Sequence, residues 1–146
     1  MRLITVVAAA IILVLGLAVS PVVADPIHDA AEAGDVAKVM ALLASGVKID
    51  AREYSQTPLH YARTAEVAKV LLKAGARVSS RASVGYTPLH RAASGGRADV
   101  VEFLLSVGAN GKAKSEDGET PFDLAKRMGY LEGTDAYWLL NDAQYD

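Results

Sequence analysis

The chain has 146 residues, 51% of them hydrophobic, and a formal net charge of −2 with both signs scattered along it. That length bounds one ordinary domain, and the charge excludes the clustered basic face that nucleic-acid phosphates call for. The absence of cysteine excludes a disulfide, a thiolate metal site and a Cys nucleophile.

Met1-Arg2 supplies a short positive start, and residues 3–19 contain almost nothing polar beyond Thr5. Pro21 then breaks any helix, and Val22-Val23-Ala24 places small residues before Asp25. This is the three-part layout of a secretory signal peptide, with a cut expected after Ala24. A retained anchor is the alternative, since an apolar run of about 17 residues lies near the lower limit for a span. Either way the remaining chain is delivered across a membrane. A periplasmic or secreted location is expected, with no stable membrane insertion once the leader is cut.

The remaining chain repeats itself. Thr57-Pro58-Leu59-His60 recurs as Thr87-Pro88-Leu89-His90, and Thr120-Pro121-Phe122-Asp123 is a third copy. Asp25-Pro26-Ile27-His28 is a degraded fourth, so starts at 25, 57, 87 and 120 are spaced by 32, 30 and 33 residues. Each copy continues into small residues, a turn, an apolar helix and a closing Gly. Leu42-Leu43, Leu71-Leu72 and Leu104-Leu105 mark that helix, and Gly46, Gly75 and Gly108 follow it.

Local physics fits two helices per copy. Thr caps a helix through its hydroxyl oxygen, and Pro suits the first helical position, where its missing N–H loses nothing. Leu59 and Leu89 are expected in the core, and Ala30, Ala31, Ala62, Ala92 and Ala93 allow close packing. Val100-Val101 with Leu104-Leu105 forms the apolar stripe of a second helix. The three glycines can adopt the left-handed conformation that ends a helix. No unit buries its apolar faces alone, whereas stacked neighbours do.

The pattern resembles the ankyrin repeat over residues 25–146. Together with the leader, it implies an exported bacterial-type ankyrin-repeat protein. The implied fold is an all-α solenoid of four helix-turn-helix units with β-hairpin loops, at about 25–56, 57–86, 87–119 and 120–146. Two departures stand out. The second unit runs from Ala62-Arg63 straight to Thr64-Ala65, about three residues short of the usual inter-helix turn, and its preceding loop, Glu53-Tyr54-Ser55-Gln56, lacks the usual Gly. Gly111 sits where a Val or Ile usually anchors the last loop. After Gly129 the final unit leaves the pattern, and residues 134–140 read as a capped amphipathic helix in which Tyr137 and Trp138 are expected to pack.

Catalysis finds no support. His28, His60 and His90 each hold the fourth place of their unit, so a stack spaces them by about one helix-packing distance and they cannot converge on a metal. The resemblance implies that these histidines tie neighbouring units together. Glu116, Asp117 and Glu119 lack the spacing of a calcium loop. No Gly-x-Ser-x-Gly or phosphate loop is present. No cofactor, metal or enzymatic activity is expected.

The resemblance implies instead a partner protein gripped by the concave side, and a monomer. Carried over position by position, the loops contribute Glu53, Tyr54 and Gln56, then Ser83, Val84 and Tyr86, then Glu116, Asp117 and Glu119. The first helices and their ends contribute Glu32, Arg63, Ser94 and Arg127. Tyr and Arg are the residue types that anchor interfaces, and the acids of the third loop suit a basic patch. The expected role is a periplasmic adaptor or protector. The alternatives are an immunity protein against a periplasm-targeted toxin and a secreted effector binding a host protein.

Overall fold

The computed structural model describes residues 26–145, so the expected signal peptide, residues 1–24, lies outside the described residues. Four units each contribute two α-helices. The first helices are α1 (Pro26–Ala33), α3 (Pro58–Tyr61), α5 (Pro88–Ser94) and α7 (Pro121–Met128). The second helices are α2 (Val36–Ala44), α4 (Ala65–Lys73), α6 (Ala98–Ser106) and α8 (Asp135–Ala143). First helices pack on first helices in the order α1, α3, α5, α7, and second helices on second helices in the order α2, α4, α6, α8. The result is a two-layered stack in which each unit meets chiefly its neighbours.

The core lies between the layers. Ile27, Leu59, Leu89 and Leu124 come from the first helices, and Val39, Val67, Leu71, Val101, Leu104 and Leu140 from the second. All are fully buried, each contributing about 1.5–3 kcal/mol as a large apolar side chain removed from water. The five alanines expected at the close approach are buried as well. Gly46, Gly75 and Gly108 take φ of 91°, 100° and 88°, each just beyond a second helix.

The loops between units, here called fingers, depart from the expected β-hairpins. Among the described residues there is no β-strand, only an isolated bridge between Glu53 and Gln56. The other two fingers are each closed by one backbone–backbone hydrogen bond, Ala82 N–H to Tyr86 O at 2.8 Å and Ser115 N–H to Glu119 O at 2.9 Å, the second joined by Glu119 N–H to Ser115 Oγ at 3.2 Å. With only two or three residues between the closing pair, the chain turns back before a ladder can extend.

The shortened second unit is repaired by its neighbours. α3 is only four residues long, and the missing turn leaves its last carbonyls without helical partners. Arg97, from the turn of the third unit, donates through Nη1 to Ala62 O at 3.0 Å and His60 O at 3.3 Å. Asp99 Oδ2 accepts from Ala65 N–H at 2.8 Å and so caps α4. On the other side, Arg63 N–H donates to Ala31 O of the first unit at 3.1 Å.

Gly111 is explained by the final helix. A Cβ there would lie 2.5 Å from Ala143 Cβ and 2.8 Å from Ala143 O. The end of α8 therefore occupies the space that a Val or Ile would fill in a regular unit. Gly111→Val is expected to cost about 1–3 kcal/mol as an overpacking change, read as a lower urea midpoint. Undiminished stability would show that α8 docks elsewhere.

The cap differs from expectation at one residue. Tyr137 packs edge-on against Phe122, with centroids 5.0 Å apart, but Trp138 is 59% exposed. Ala136 and Leu140 take the buried face of α8, and Trp138 falls outside it. Among the described residues, no helix is long and apolar enough to cross a membrane.

Candidate functional site

One edge of the stack is built from the fingers and the residues that support them. Its foundation is the histidine of each unit. Thr57 N–H donates to His60 Nδ1 at 3.1 Å, which leaves Nε2–H to donate to Tyr86 O in the next finger at 3.1 Å. The same pair recurs one unit on. Thr87 N–H donates to His90 Nδ1 at 3.2 Å, and His90 Nε2–H to Glu119 O at 3.0 Å. His28 Nε2 lies 3.1 Å from both Gln56 O and Ala51 O. Each ring therefore ties its own first helix to the finger that follows.

Burial is the main reason that His60 is lowered to about 4, and the nearby Arg91 and Arg52 add to it. Burial likewise lowers His90. Both rings are neutral at pH 7, as the accepting Nδ1 requires. In the fourth unit Asp123 replaces the histidine, with Oδ2 accepting from Thr120 N–H and Oγ1–H at 2.8 Å each. Those two bonds hold its carboxyl below the usual range.

A second set of ties runs nearer the tips. Arg52 Nη1 donates to Ser55 O of its own finger at 2.8 Å and to Arg81 O of the next at 2.9 Å. Arg81 Nη1 repeats this with Gly85 O at 3.0 Å and Lys114 O at 2.9 Å. The fingers are thus fixed relative to one another by guanidinium groups bonded to backbone.

Two tips are held in unfavourable backbone. Tyr54 and Ser55 have φ of 46° and 66°, the positive pair that a type I′ turn requires and that Asn-Gly meets most easily. Val84 has φ of 57°, rare for a β-branched residue. Such conformations cost about 1–3 kcal/mol each. Tyr54 is nevertheless 83% exposed and Val84 46%, so burial does not explain either. Replacing Tyr54-Ser55 by Asn-Gly is expected to raise stability by about 1–2 kcal/mol, seen as a higher urea midpoint. A lower midpoint would show that the turn is not strained.

A family profile for ankyrin repeats in many copies matches residues 71–125, and one for the single ankyrin repeat matches residues 54–83. The chain carries ankyrin repeats. Among similar proteins, protein phosphatase 1 regulatory subunit 27 of Homo sapiens is 44% identical over 59 residues, 40% of this chain and 38% of that one. Ankyrin repeat and SOCS box protein 11 of Homo sapiens is 38% identical over 114 residues, 75% of this chain and 35% of that one. Tyrosine-protein kinase Shark of Drosophila melanogaster is 36% identical over 108 residues, 70% of this chain but 12% of the kinase. The chain spans less than two fifths of the length of each of these relatives. Ankyrin repeats are typically modules of protein–protein interaction.

The residues expected on the ankyrin concave side divide by what they already touch. Glu32, Tyr54, Arg63, Ser83, Val84, Glu116 and Asp117 are exposed. Arg127 is exposed too, but its Nη1 pairs with Glu119 Oε1 at 2.7 Å. Glu119 is half-buried and also holds its finger closed, so part of the acidity of that finger is neutralised. Ser94 Oγ–H donates to Arg91 O of its own helix at 3.2 Å. Tyr86 stacks on His90, with centroids 5.4 Å apart and planes 5° from parallel. Glu53 Oε2 stands 3.8 Å from His28 Nδ1.

A cleft between the first two ankyrin fingers brings several of these together. Tyr54, Gln56, Ser83, Val84 and Tyr86 line it, with Arg91 of α5 beside them. The repeat pattern does not point to Arg91, Arg52, Arg81 or Arg97, although the spacing of 29 residues between Arg52 and Arg81 is a repeat signal in itself. Arg91 occupies the place after the histidine, where the second unit has Tyr61. Its Nε is buried without a partner among the described residues, as is Gln56 Oε1. An unmet buried group of this kind costs about 1–3 kcal/mol. Among the described residues, no group of three or more His, Asp or Glu side chains is placed to hold a metal ion.

Proposed function

We propose that the chain is an exported adaptor or protector that grips one partner protein across its concave side. The observation that carries this is the finger edge, where two adjacent tips hold exposed apolar side chains, Tyr54 and Val84, in costly left-handed backbone. The apolar core does not need that arrangement, and the ties made at these tips, Arg52 to Ser55 O and Glu116 N–H to Val84 O, engage backbone carbonyls and leave both side chains exposed. Strain retained at an exposed edge is the mark of a contact surface. The names of the relatives, a phosphatase regulatory subunit and a SOCS box protein, support a module that acts by binding. Export to the periplasm or beyond rests on the layout of residues 1–24, and no catalysis is assigned to the chain.

The test is affinity capture with the native protein and with the double variant Tyr54→Ala/Tyr86→Ala, both checked for helical content. One stoichiometric partner is expected with the first and none with the second. Equal capture by both would reject this face. The intact mass of the exported protein, expected to begin at Asp25, tests the route.

A further inference from the structure

The cleft between the first two fingers has a chemistry more specific than a general contact surface. It encloses about 180 Å³, the room of about six water molecules, which suits one inserted side-chain head. Its walls are the aromatic rings of Tyr54 and Tyr86 and the exposed Val84. Its polar groups are those of Arg91, Gln56 and Ser83.

Charge decides what that head is. Among the described residues, Arg91 makes no ion pair and its side chain makes no hydrogen bond. Arg52 and Arg81 lie outside the lining, beside Asp50, where they donate to backbone carbonyls of the fingers. The acids in the same region are Glu53, which faces His28, and Glu116, whose backbone N–H donates to Val84 O at 2.9 Å; neither lines the cleft. Arg91 is the one charged residue that lines the cleft, with no carboxylate beside it in the lining, so the cleft carries an excess of positive charge. Gln56 keeps its side-chain amide unengaged as well, and an amide can donate to an oxygen by turning about its last bond.

We propose that this cleft receives an aspartate or glutamate side chain of the partner, its carboxylate paired with the Arg91 guanidinium. Arg91 offers two parallel N–H donors, the fork that matches a carboxylate. Gln56 supplies a third donor, and the two tyrosines cover the stem of the inserted residue. The proposal rests on the concave-side reading above and refines it. Glu116, at the acidic tip of the third finger, adjoins the cleft through its N–H to Val84 O at 2.9 Å, but neither it nor Asp117 lines the cleft.

A displayed library of random heptapeptides, selected on the full chain as its host produces it, tests this directly. Selected peptides are expected to share an Asp or Glu. A representative peptide is expected to lose at least about tenfold in affinity when that acid becomes its amide, and equally when the protein carries Arg91→Met. Arg91→Lys, which keeps the charge without the fork, is expected to recover part of the loss. Added salt is expected to weaken the native pair, a readout that needs no variant to fold. Peptides that bind Arg91→Met as well as the native protein overturn the carboxylate assignment. If those peptides still fail on Tyr54→Ala/Tyr86→Ala, the concave side stands and only its chemistry is wrong. If neither variant matters, both readings fall.

Discussion

As pH falls from about 6.5 to about 4, the protein is expected to lose about 3 kcal/mol of stability through His60 alone. The sign follows from the depressed folded value. In that window the unfolded chain binds a proton at His60 and the folded chain does not, so acid favours unfolding. The contribution is fully present above about pH 6.5 and fully lost below about 4. The chemistry agrees, because protonating Nδ1 removes the acceptor of Thr57 N–H and places a charge near Arg91 and Arg52. His90 acts in the same direction. Asp123 extends the loss further into acid, because its held-down carboxylate must be protonated before Thr120 is released. Urea unfolding measured across this range gives the slope, and His60→Asn is expected to flatten it. A stability that does not change between neutral pH and about pH 4.5 would overturn the assignment of neutral, unit-bridging histidines.

These bridges mark how far the sequence was readable. Thr57-Pro58-Leu59-His60 and its copies carry their local physics openly, since a cap, a first-turn proline, a core leucine and a bonding histidine each need one residue type in one place. The two-layered stack follows from their period. The fingers were harder to read. Tyr54-Ser55 has no turn signature, and its type I′ geometry is held by Arg52, which bonds Ser55 O and reaches Arg81 O of the next finger, and by the His28 bond to Gln56 O 28 residues away. Arg91 was hidden because its place in the repeat varies freely and only the neighbouring fingers turn it into the side of a cleft. Trp138 resisted for the opposite reason. An aromatic in a final helix favours burial, but the register of Ala136 and Leu140 decides which face is covered.

The largest effect outside the histidines is expected at Arg97. Arg97→Met should lower stability by about 2–3 kcal/mol, since it removes charged hydrogen bonds to two carbonyls and leaves those acceptors unmet. The same substitution in a regular unit would touch only a turn. Here it also unfastens α3 from α4, because the connection Ala62–Thr64 has too few residues to satisfy its own backbone. Burial lowers the Arg97 guanidinium somewhat, yet it remains charged at any pH at which the protein is folded. Asp99→Ala should cost less, about 0.5–1 kcal/mol, as the loss of an exposed helix cap. The decisive measurement restores what the second unit lacks. Inserting Ala-Ser-Gly after Ala62, copied from Ala93-Ser94-Gly95 of the third unit, gives α3 its own turn. In that background Arg97→Met is expected to cost less than half as much, which a double-mutant cycle of urea midpoints reads as coupling. If the full cost persists with the insertion, Arg97 supports the third unit rather than the short connection of the second. The repair across units would then be a coincidence of geometry.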